Sequence, residues 1–74
     1  MSSSVYKIIE VVGTSNASWE AAAKNAVEIA GQSLEDLRIA EVERLDMKIT
    51  DGKVVAFRAR VKISFKYKDR PPLV

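Results

Sequence analysis

The sequence predicts an α+β fold of order β-α-β-β, in which a three-stranded, mainly antiparallel sheet wraps around one helix. Three observations predict it: residue alternation over positions 54–68, an Asp51-Gly52 turn signal just before that segment, and an alanine-rich stretch with helical spacing. With 74 residues, the chain has room for one domain covering positions 1–74. A core this small gives marginal stability, which assembly into an oligomer would increase.

The segment 54–68 alternates apolar and polar side chains, as in a strand with one buried and one solvent-facing side. Its odd positions are apolar: Val55, Phe57, Ala59, Val61, Ile63, Phe65 and Tyr67. Its even positions from 58 onward are polar: Arg58, Arg60, Lys62, Ser64, Lys66 and Lys68. A strand of this length extends about 50 Å, whereas a compact monomer of this size is only about 25 Å across. The strand is too long for a monomer, which indicates an assembly.

The N-terminal half predicts a strand followed by a helix. Val5–Val12 is rich in β-branched residues and has apolar side chains on both faces, which predicts a central strand. We expect it to end at Gly13, where glycine permits a backbone conformation that other residues resist. Ser18 is the expected N-cap of a helix from Trp19 to about Ser33. The helix prediction rests on apolar residues spaced by three and four: Trp19, Ala22, Ala23, Ala26, Val27, Ala30 and Leu34.

The C-terminal half predicts a hairpin. In the second strand, Arg38–Thr50, the apolar positions change from even to odd, which indicates a β-bulge around Glu43–Arg44 or two halves that face different partners. Asp51-Gly52 predicts a type I′ turn. The tail Asp69–Val74 contains two prolines, so we expect it to leave the sheet. One helix cannot cover so long a hairpin, and the remainder must meet another copy or water.

Composition excludes several function classes. The sequence has no cysteine and no histidine, which excludes disulfides, thiolate or imidazole metal sites and His- or Cys-based catalysis. No carboxylate, lysine or serine has a recognisable catalytic partner, so we do not expect an enzyme. The net charge of +2 does not by itself indicate a nucleic-acid partner. No apolar run is long enough to span a membrane, and Met1–Ser4 does not start a signal peptide, which favours a cytoplasmic location.

Several segments together resemble the dodecin family, over residues 5 to about 67. They are Tyr6-Lys7, the Val11-Val12-Gly13-Thr14-Ser15 junction, the alanine-rich helix, Ala40-Glu41-Val42 and Val61-Lys62-Ile63-Ser64-Phe65. The resemblance implies a β-α-β-β subunit that assembles into a hollow homododecamer. It also implies a binding or storage protein for a small ligand, which in many members is flavin.

The resemblance also identifies candidate cofactor-binding positions: Ile39, Asp46 and Arg58. Flavin-binding members have a ring-stacking tryptophan where this chain has Ile39 and a ring-contacting glutamine where it has Arg58. A basic residue that is common on their second strand is replaced by Asp46. We expect Asp46 and Arg58 to form a cross-strand ion pair. Flavin binding is not expected, because Ile39 offers no aromatic platform and Trp19 at the helix start cannot replace it.

Other segments are similar to the calcium-dodecin branch, which lacks the flavin tryptophan. They are Ser18-Trp19-Glu20, Arg38-Ile39-Ala40, Asp46-Met47, Phe57-Arg58 and Ser64-Phe65-Lys66. The resemblance implies calcium binding, but it transfers no ligand positions. Calcium takes six to eight oxygen ligands, and Glu43, Asp46 and Asp51 are scattered without an EF-hand loop. The metal ligands therefore stay unassigned.

Two alternatives to a storage shell for a small ligand or cation stay open. One is a flavin-binding dodecin with altered contacts. The other is a phosphate or nucleic-acid binder that uses the cations of the third strand: Arg58, Arg60, Lys62, Lys66 and Lys68. Nucleic acid is not the expected partner, because aromatic residues that could stack on bases fall on the opposite face. The simpler interpretation is a solvated or inter-subunit surface in which these cations pair with Glu10, Glu41 and Glu43.

Overall fold

The computed structural model describes residues 5–66, and its four elements follow the predicted order. They are β1 (Tyr6–Ser15), α1 (Trp19–Ser33), β2 (Leu37–Thr50) and β3 (Lys53–Lys66). The sheet has the order β1-β3-β2, and both pairings are antiparallel. The predicted fold class is therefore confirmed, with β3 as the central strand.

The core lies between α1 and one face of β3. Along β3, Ala59, Val61 and Ile63 are buried, whereas the intervening Arg60 and Lys62 are exposed. This confirms the two-residue alternation predicted for the strand. The helix contributes three alanines that are also buried, Ala22, Ala26 and Ala30. Such small side chains let the helix lie close to the sheet, but they bury little apolar area.

Gly13 does not end the first strand, so this prediction is wrong. β1 continues to Ser15, and Gly13 pairs with Ala59 of β3. A Cβ atom on Gly13 would lie 2.8 Å from the Cβ atom of Ala26 and would overlap the carbonyl oxygen of Ala22. Glycine is needed here because the helix backbone crosses the strand at this point, not because the chain turns.

The first strand is not central, which also corrects the prediction. β1 pairs only with β3 and forms an edge of the sheet. Its apolar residues on the side away from the helix are exposed, with Ile8 62% and Val12 47% accessible. The antiparallel β2–β3 hairpin takes β3 into the middle of the sheet. The apolar residues on both faces of β1 therefore do not reflect burial within one chain.

The hairpin has the predicted bulge and turn. The register of β2 against β3 shifts between Val42 and Arg44, which leaves Glu43 as the extra residue and confirms the bulge. Asp51 and Gly52 have φ angles of 53° and 74°, which confirms the type I′ turn. Two further register shifts, which the sequence did not indicate, occur at Leu37/Ile39 and Lys48/Ile49.

The helix begins as predicted. The Oγ atom of Ser18 accepts a hydrogen bond from the amide of Ala21 at 3.0 Å, which confirms Ser18 as the N-cap. The Oγ atom of Ser15 accepts from the amide of Ala17 at 2.9 Å and so orders the turn between β1 and the helix.

The subunit is elongated. It measures 58 × 21 × 15 Å and has a radius of gyration of 15.9 Å, whereas a compact domain of this length has about 11 Å. The hairpin therefore extends well beyond the helix, as its length predicted. Among residues 5–66, no helix is long and apolar enough to cross a membrane. The predicted departure of Asp69–Val74 from the sheet, and the continuation of β3 to Lys68, lie outside the described residues.

Candidate binding face

The candidate site residues lie on the face of the sheet opposite α1, which we call the outer face. Side chains directly opposite in antiparallel strands project to the same side, so the register defines its members. The members on β3 are Arg58, Arg60, Lys62, Ser64 and Lys66. The members on β1 are Tyr6, Ile8, Glu10, Val12 and Thr14. The members on β2 are Ile39, Glu41, Arg44, Asp46 and Lys48. The outer face is thus a charged surface interrupted by exposed apolar residues.

Asp46 and Arg58 form the predicted ion pair. They are direct partners in the register of β2 and β3. Arg58 Nε donates to Asp46 Oδ1 at 2.6 Å, and Arg58 Nη2 donates to Asp46 Oδ2 at 2.9 Å. This two-pronged contact matches the planar fork of a guanidinium to a carboxylate. The side chains remain 42% exposed for Arg58 and 51% exposed for Asp46, so water screens the pair in the single chain.

The ion pair changes how both groups ionise. Its hydrogen bonds and charge hold the pKa of the Asp46 carboxyl below its ordinary value and raise the pKa of the Arg58 guanidinium. Arg58 therefore presents no acceptor, since a guanidinium only donates, and two of its donors are already used. A ligand that replaced these bonds would have to displace Asp46.

Trp19 contacts the backbone of Asp46 and the ring of Phe57 from the helix side of the sheet, which sequence reasoning missed. Its Nε1–H donates to the backbone carbonyl of Asp46 at 2.9 Å. Its ring meets Phe57 edge-on, with centroids 5.1 Å apart and planes at 69°. These partners are far from Trp19 in sequence, and no motif links them. Trp19 thus anchors β2 and β3 beside the ion pair, but on the side away from the outer face.

Ile39 is distant from the other two candidate residues within one chain. It pairs in register with Ser64, whose Oγ–H donates to the Ile39 carbonyl at 3.3 Å. Ser64 and Arg58 are six positions apart in β3, a distance of about 20 Å along the strand. The Ile39 side chain is 68% exposed. A single site that contains all three candidates would therefore require Ile39 from another copy of the chain.

Lys62 is held among carboxylates at the middle of the outer face. Its Nζ lies 2.9 Å from Glu43 Oε2, and Glu10 and Glu41 are its partners in register on either side. The bond to Lys62 lowers the pKa of Glu43, and Glu43 in turn raises the pKa of Lys62. The expected pairing of basic and acidic residues on this face is thus seen at Lys62, through the residue that the bulge inserts.

The acidic side chains of residues 5–66 form no cluster that would hold a calcium ion by themselves. Residues 5–66 contain no group of three or more acidic residues arranged to hold a metal. Glu43 and Asp46, two of the acidic residues considered from the sequence, each bind a cationic side chain instead. Calcium takes six to eight oxygen ligands, so a site would need backbone carbonyl oxygens or oxygens from more than one chain.

A second exposed surface lies on the helix side of β2. Val42, Leu45 and Met47 point toward the helix side but remain about half exposed, because α1 lies over β1 and β3. Together with Trp19, Glu20 and Ala23 of the helix, Val42 and Leu45 line a shallow depression of about 400 Å³. The phase of the second strand indicated that these residues share a face, but not that the helix leaves them uncovered.

Comparison with known proteins agrees with this geometry. The family model described as Dodecin matches residues 5–68. The calcium dodecin of Mycobacterium tuberculosis is 41% identical over 69 residues, which cover 93% of this chain and 97% of that protein. A crystal structure of the calcium dodecin from that species, described as calcium-chelating and as having a calcium-binding site, has a TM-score of 0.77 at 43% identity and covers 93% of this chain and 99% of its own.

Two further solved structures, both dodecins, have the same fold as this chain. The dodecin of Streptomyces coelicolor has a TM-score of 0.86 at 36% identity, covering 95% of this chain and all of that one. The dodecin of Streptomyces davaonensis has a TM-score of 0.85 at 26% identity, covering 92% and 100%. With a family model that spans nearly the whole chain and a relative above 40% identity, this protein belongs to the dodecin family.

Proposed function

We propose that this protein forms a homo-oligomer of twelve subunits that binds and sequesters a small ligand or a cation, without using flavin. The observation that carries the proposal is the amount of apolar surface that one chain leaves in water. Within residues 5–66, the core contains only six buried hydrophobic residues. A larger set of big apolar side chains is exposed: Val5, Tyr6, Ile8, Val12, Ile29, Ile39, Val42, Leu45, Met47, Ile49, Val54 and Val55.

These exposed residues support association between copies of the chain. They fall on both faces of the sheet and along both of its outer strands, whereas isolated monomers expose only small apolar patches. Burying a Leu, Ile or Val side chain contributes about 1.5–3 kcal/mol. Contacts between copies would therefore add stabilisation of the size that the small core lacks. Membership of the dodecin family supports twelve as the number of copies.

The outer face supports a ligand other than flavin. The position that would carry the stacking tryptophan holds Ile39, which has no aromatic ring. The position that would carry the glutamine holds Arg58, which donates to Asp46 and cannot accept a hydrogen bond. Neither flavin contact can form as it does in flavin-binding members.

Calcium is the first cation to test, because a similar protein is described as calcium-chelating. Its oxygens would come from more than one subunit, since one chain offers no suitable cluster within residues 5–66. In such a site, assembly would bring carboxylates of neighbouring chains together around the ion.

Native mass spectrometry of protein purified from cells tests the assembly and its contents together. We expect a mass of twelve chains, with any bound small molecule or ion visible as added mass. Calcium titration of chelator-treated protein by calorimetry, with magnesium as the matched ion, then tests the cation. A folded monomer at micromolar concentration would contradict the assembly, and nanomolar quenching of flavin fluorescence would contradict the exclusion of flavin.

A further inference from the structure

Two arginines lie directly opposite each other on the outer face. Arg44 of β2 and Arg60 of β3 are register partners, and both are exposed. Opposed side chains of antiparallel strands have Cβ atoms about 4.5–5.5 Å apart, and like charges in this position destabilise the sheet. A guanidinium group is a permanent cation in proteins. This chain therefore places two permanent positive charges where a sheet normally places complementary residues.

Neighbouring carboxylates form no direct bond to the two arginines. Within residues 5–66, no hydrogen bond or ion pair joins Arg44 or Arg60 to an acidic side chain. Asp46 and Glu43 lie on either side of the pair along β2, but each is bonded to a different cation of β3. The charge of Arg60 contributes to the lowered pKa of both carboxyls. Neither arginine has a bonded acidic partner within residues 5–66.

We propose that Arg44 and Arg60 bind the phosphate group of a small molecule. A guanidinium presents a planar fork of N–H donors that matches two phosphate oxygens, and two such forks match the charge of a phosphate dianion. Bound phosphate would turn the repulsion between the arginines into two charge-assisted contacts. The proposal names a ligand class for the proposed function, and it rests on that function for the view that the assembly holds a small ligand.

The rest of the outer face favours a small phosphate compound over a nucleic acid. Glu10 and Glu41 flank the same row of β3 cations and would repel a polymer that extended beyond the arginines. Phe57 and Phe65 lie on the helix side of β3, where they cannot stack on bases bound to the outer face. The site therefore suits one phosphate group and not a phosphodiester chain.

Isothermal calorimetry with inorganic phosphate tests the site, with sodium chloride keeping the ionic strength constant. The variants are Arg44→Gln and Arg60→Gln. The matched control is Lys48→Gln, which removes the same charge from the outer face of β2 further along the strand. Loss of a hydrogen bond to a charged group predicts at least about tenfold weaker binding for each arginine variant. We expect a change of less than about twofold for the control, because salt screens the more distant charge.

Thermal unfolding gives a second measurement, in which loss of an arginine should increase stability while it weakens phosphate binding. Arg44→Glu should raise the unfolding midpoint in phosphate-free buffer, because it replaces repulsion with an ion pair. It should also abolish the rise in midpoint that phosphate produces in the unmodified protein. Equal loss of phosphate affinity in Lys48→Gln, or no binding by the unmodified protein, would overturn the site.

Two further experiments are needed. One distinguishes a small phosphate compound from a nucleic acid as the ligand, and the other distinguishes failure of the arginine site from failure of the proposed assembly. Adenosine monophosphate should bind through the same arginines, whereas a short single-stranded oligonucleotide that bound more tightly through them would overturn the choice of a small ligand. Native mass spectra of each variant report the assembly separately. Twelve-subunit protein without phosphate binding overturns only the arginine site, whereas a monomer that binds phosphate supports the site and contradicts the proposed assembly.

Discussion

β2 and β3 have the same length and lie side by side, yet only β3 contributes to the core. Each spans fourteen residues. β3 has buried residues at alternate positions, whereas almost all of β2 is exposed. The difference arises because α1 lies over β1 and β3, so that the apolar side of β2 extends past the edge of the helix. Within one chain, β3 therefore supplies much of the core, whereas β2 leaves its apolar side exposed.

The largest effect should come from a charge placed in the core side of β3. Val61 is fully buried, so Val61→Asp would bury an unpaired carboxylate at a cost of several kcal/mol. Because so small a domain is only marginally stable, we expect unfolded chain and neither oligomer nor folded monomer. Circular dichroism and ultracentrifugation provide the measurement. Arg60→Asp, which adds the same group to the outer face of the same strand, is the control that should still fold.

A smaller effect should follow from the equivalent change on the helix side of β2. Leu45 is 51% exposed in the chain, so Leu45→Asp should act mainly on contacts between copies. Loss of a leucine buried between copies predicts a cost of about 1.5–3 kcal/mol per contact. The variant should therefore dissociate at protein concentrations at which the unmodified protein stays assembled. Leu45→Met keeps the volume and should assemble normally. Unchanged assembly of Leu45→Asp would show that this side of β2 faces water.

The pairing between the two strands at Asp46 and Arg58 gives a still smaller effect. A double-mutant cycle with Asp46→Asn and Arg58→Met, read from thermal dissociation, measures their coupling. An exposed pair couples weakly, whereas a pair that assembly buries couples strongly, and loss of one partner is then worse than loss of both. We expect measurable coupling because the contact is two-pronged. Additive effects would mean that the pair does not form in solution.

The smallest effect should be the dependence of stability on pH. The pKa values of Glu43 and Asp46 are lowered in the folded chain by Lys62 and Arg58. A lowered folded pKa adds stability above the unfolded value, roughly 4, which is lost as the pH falls through the folded value. The thermal midpoint should therefore be flat near neutrality and fall in acid. The thermal midpoint of the double variant Glu43→Gln, Asp46→Asn should fall less in acid. An identical fall of the midpoint would mean that other carboxyls cause the acid sensitivity.

The cationic partners behave in the opposite sense. The pKa of Lys62 is raised by Glu43, so its contribution is complete below the unfolded value and is lost only as the pH rises through the raised one. The ion pair between Glu43 and Lys62 is therefore intact at neutral pH, and no change in stability is expected there.

Local chemistry made much of the fold predictable. Ser18 as N-cap, the Asp51-Gly52 turn and the bulge at Glu43 each depend on a few neighbouring residues, and the structure contains all of them. The opposite charges of Asp46 and Arg58 predicted their pairing, but the turn alone does not give it: a register shift between Lys48 and Ile49, which the sequence did not indicate, brings Asp46 opposite Arg58.

The incorrect predictions concern packing between distant segments. Gly13 was interpreted as a strand end, because sequence shows that a glycine is present but not that a helix passes over it. β1 was interpreted as central, because apolar residues on both faces indicate burial without indicating whether the cover comes from the same chain. The contact between Trp19 and the Asp46 carbonyl left no sequence signal at all.

The sequence by itself determined the order of elements, the alternation of β3 and the turn of the hairpin, since periodicity and turn chemistry act over short distances. The tertiary structure decided the strand order, the path of α1 and therefore which apolar residues remain exposed. It also decided that Arg44 opposes Arg60, because the bulge shifts β2 by one residue and only the resulting register shows which charges meet. Those outcomes depend on contacts between segments far apart in the chain, where many arrangements bury similar apolar area and close packing selects one.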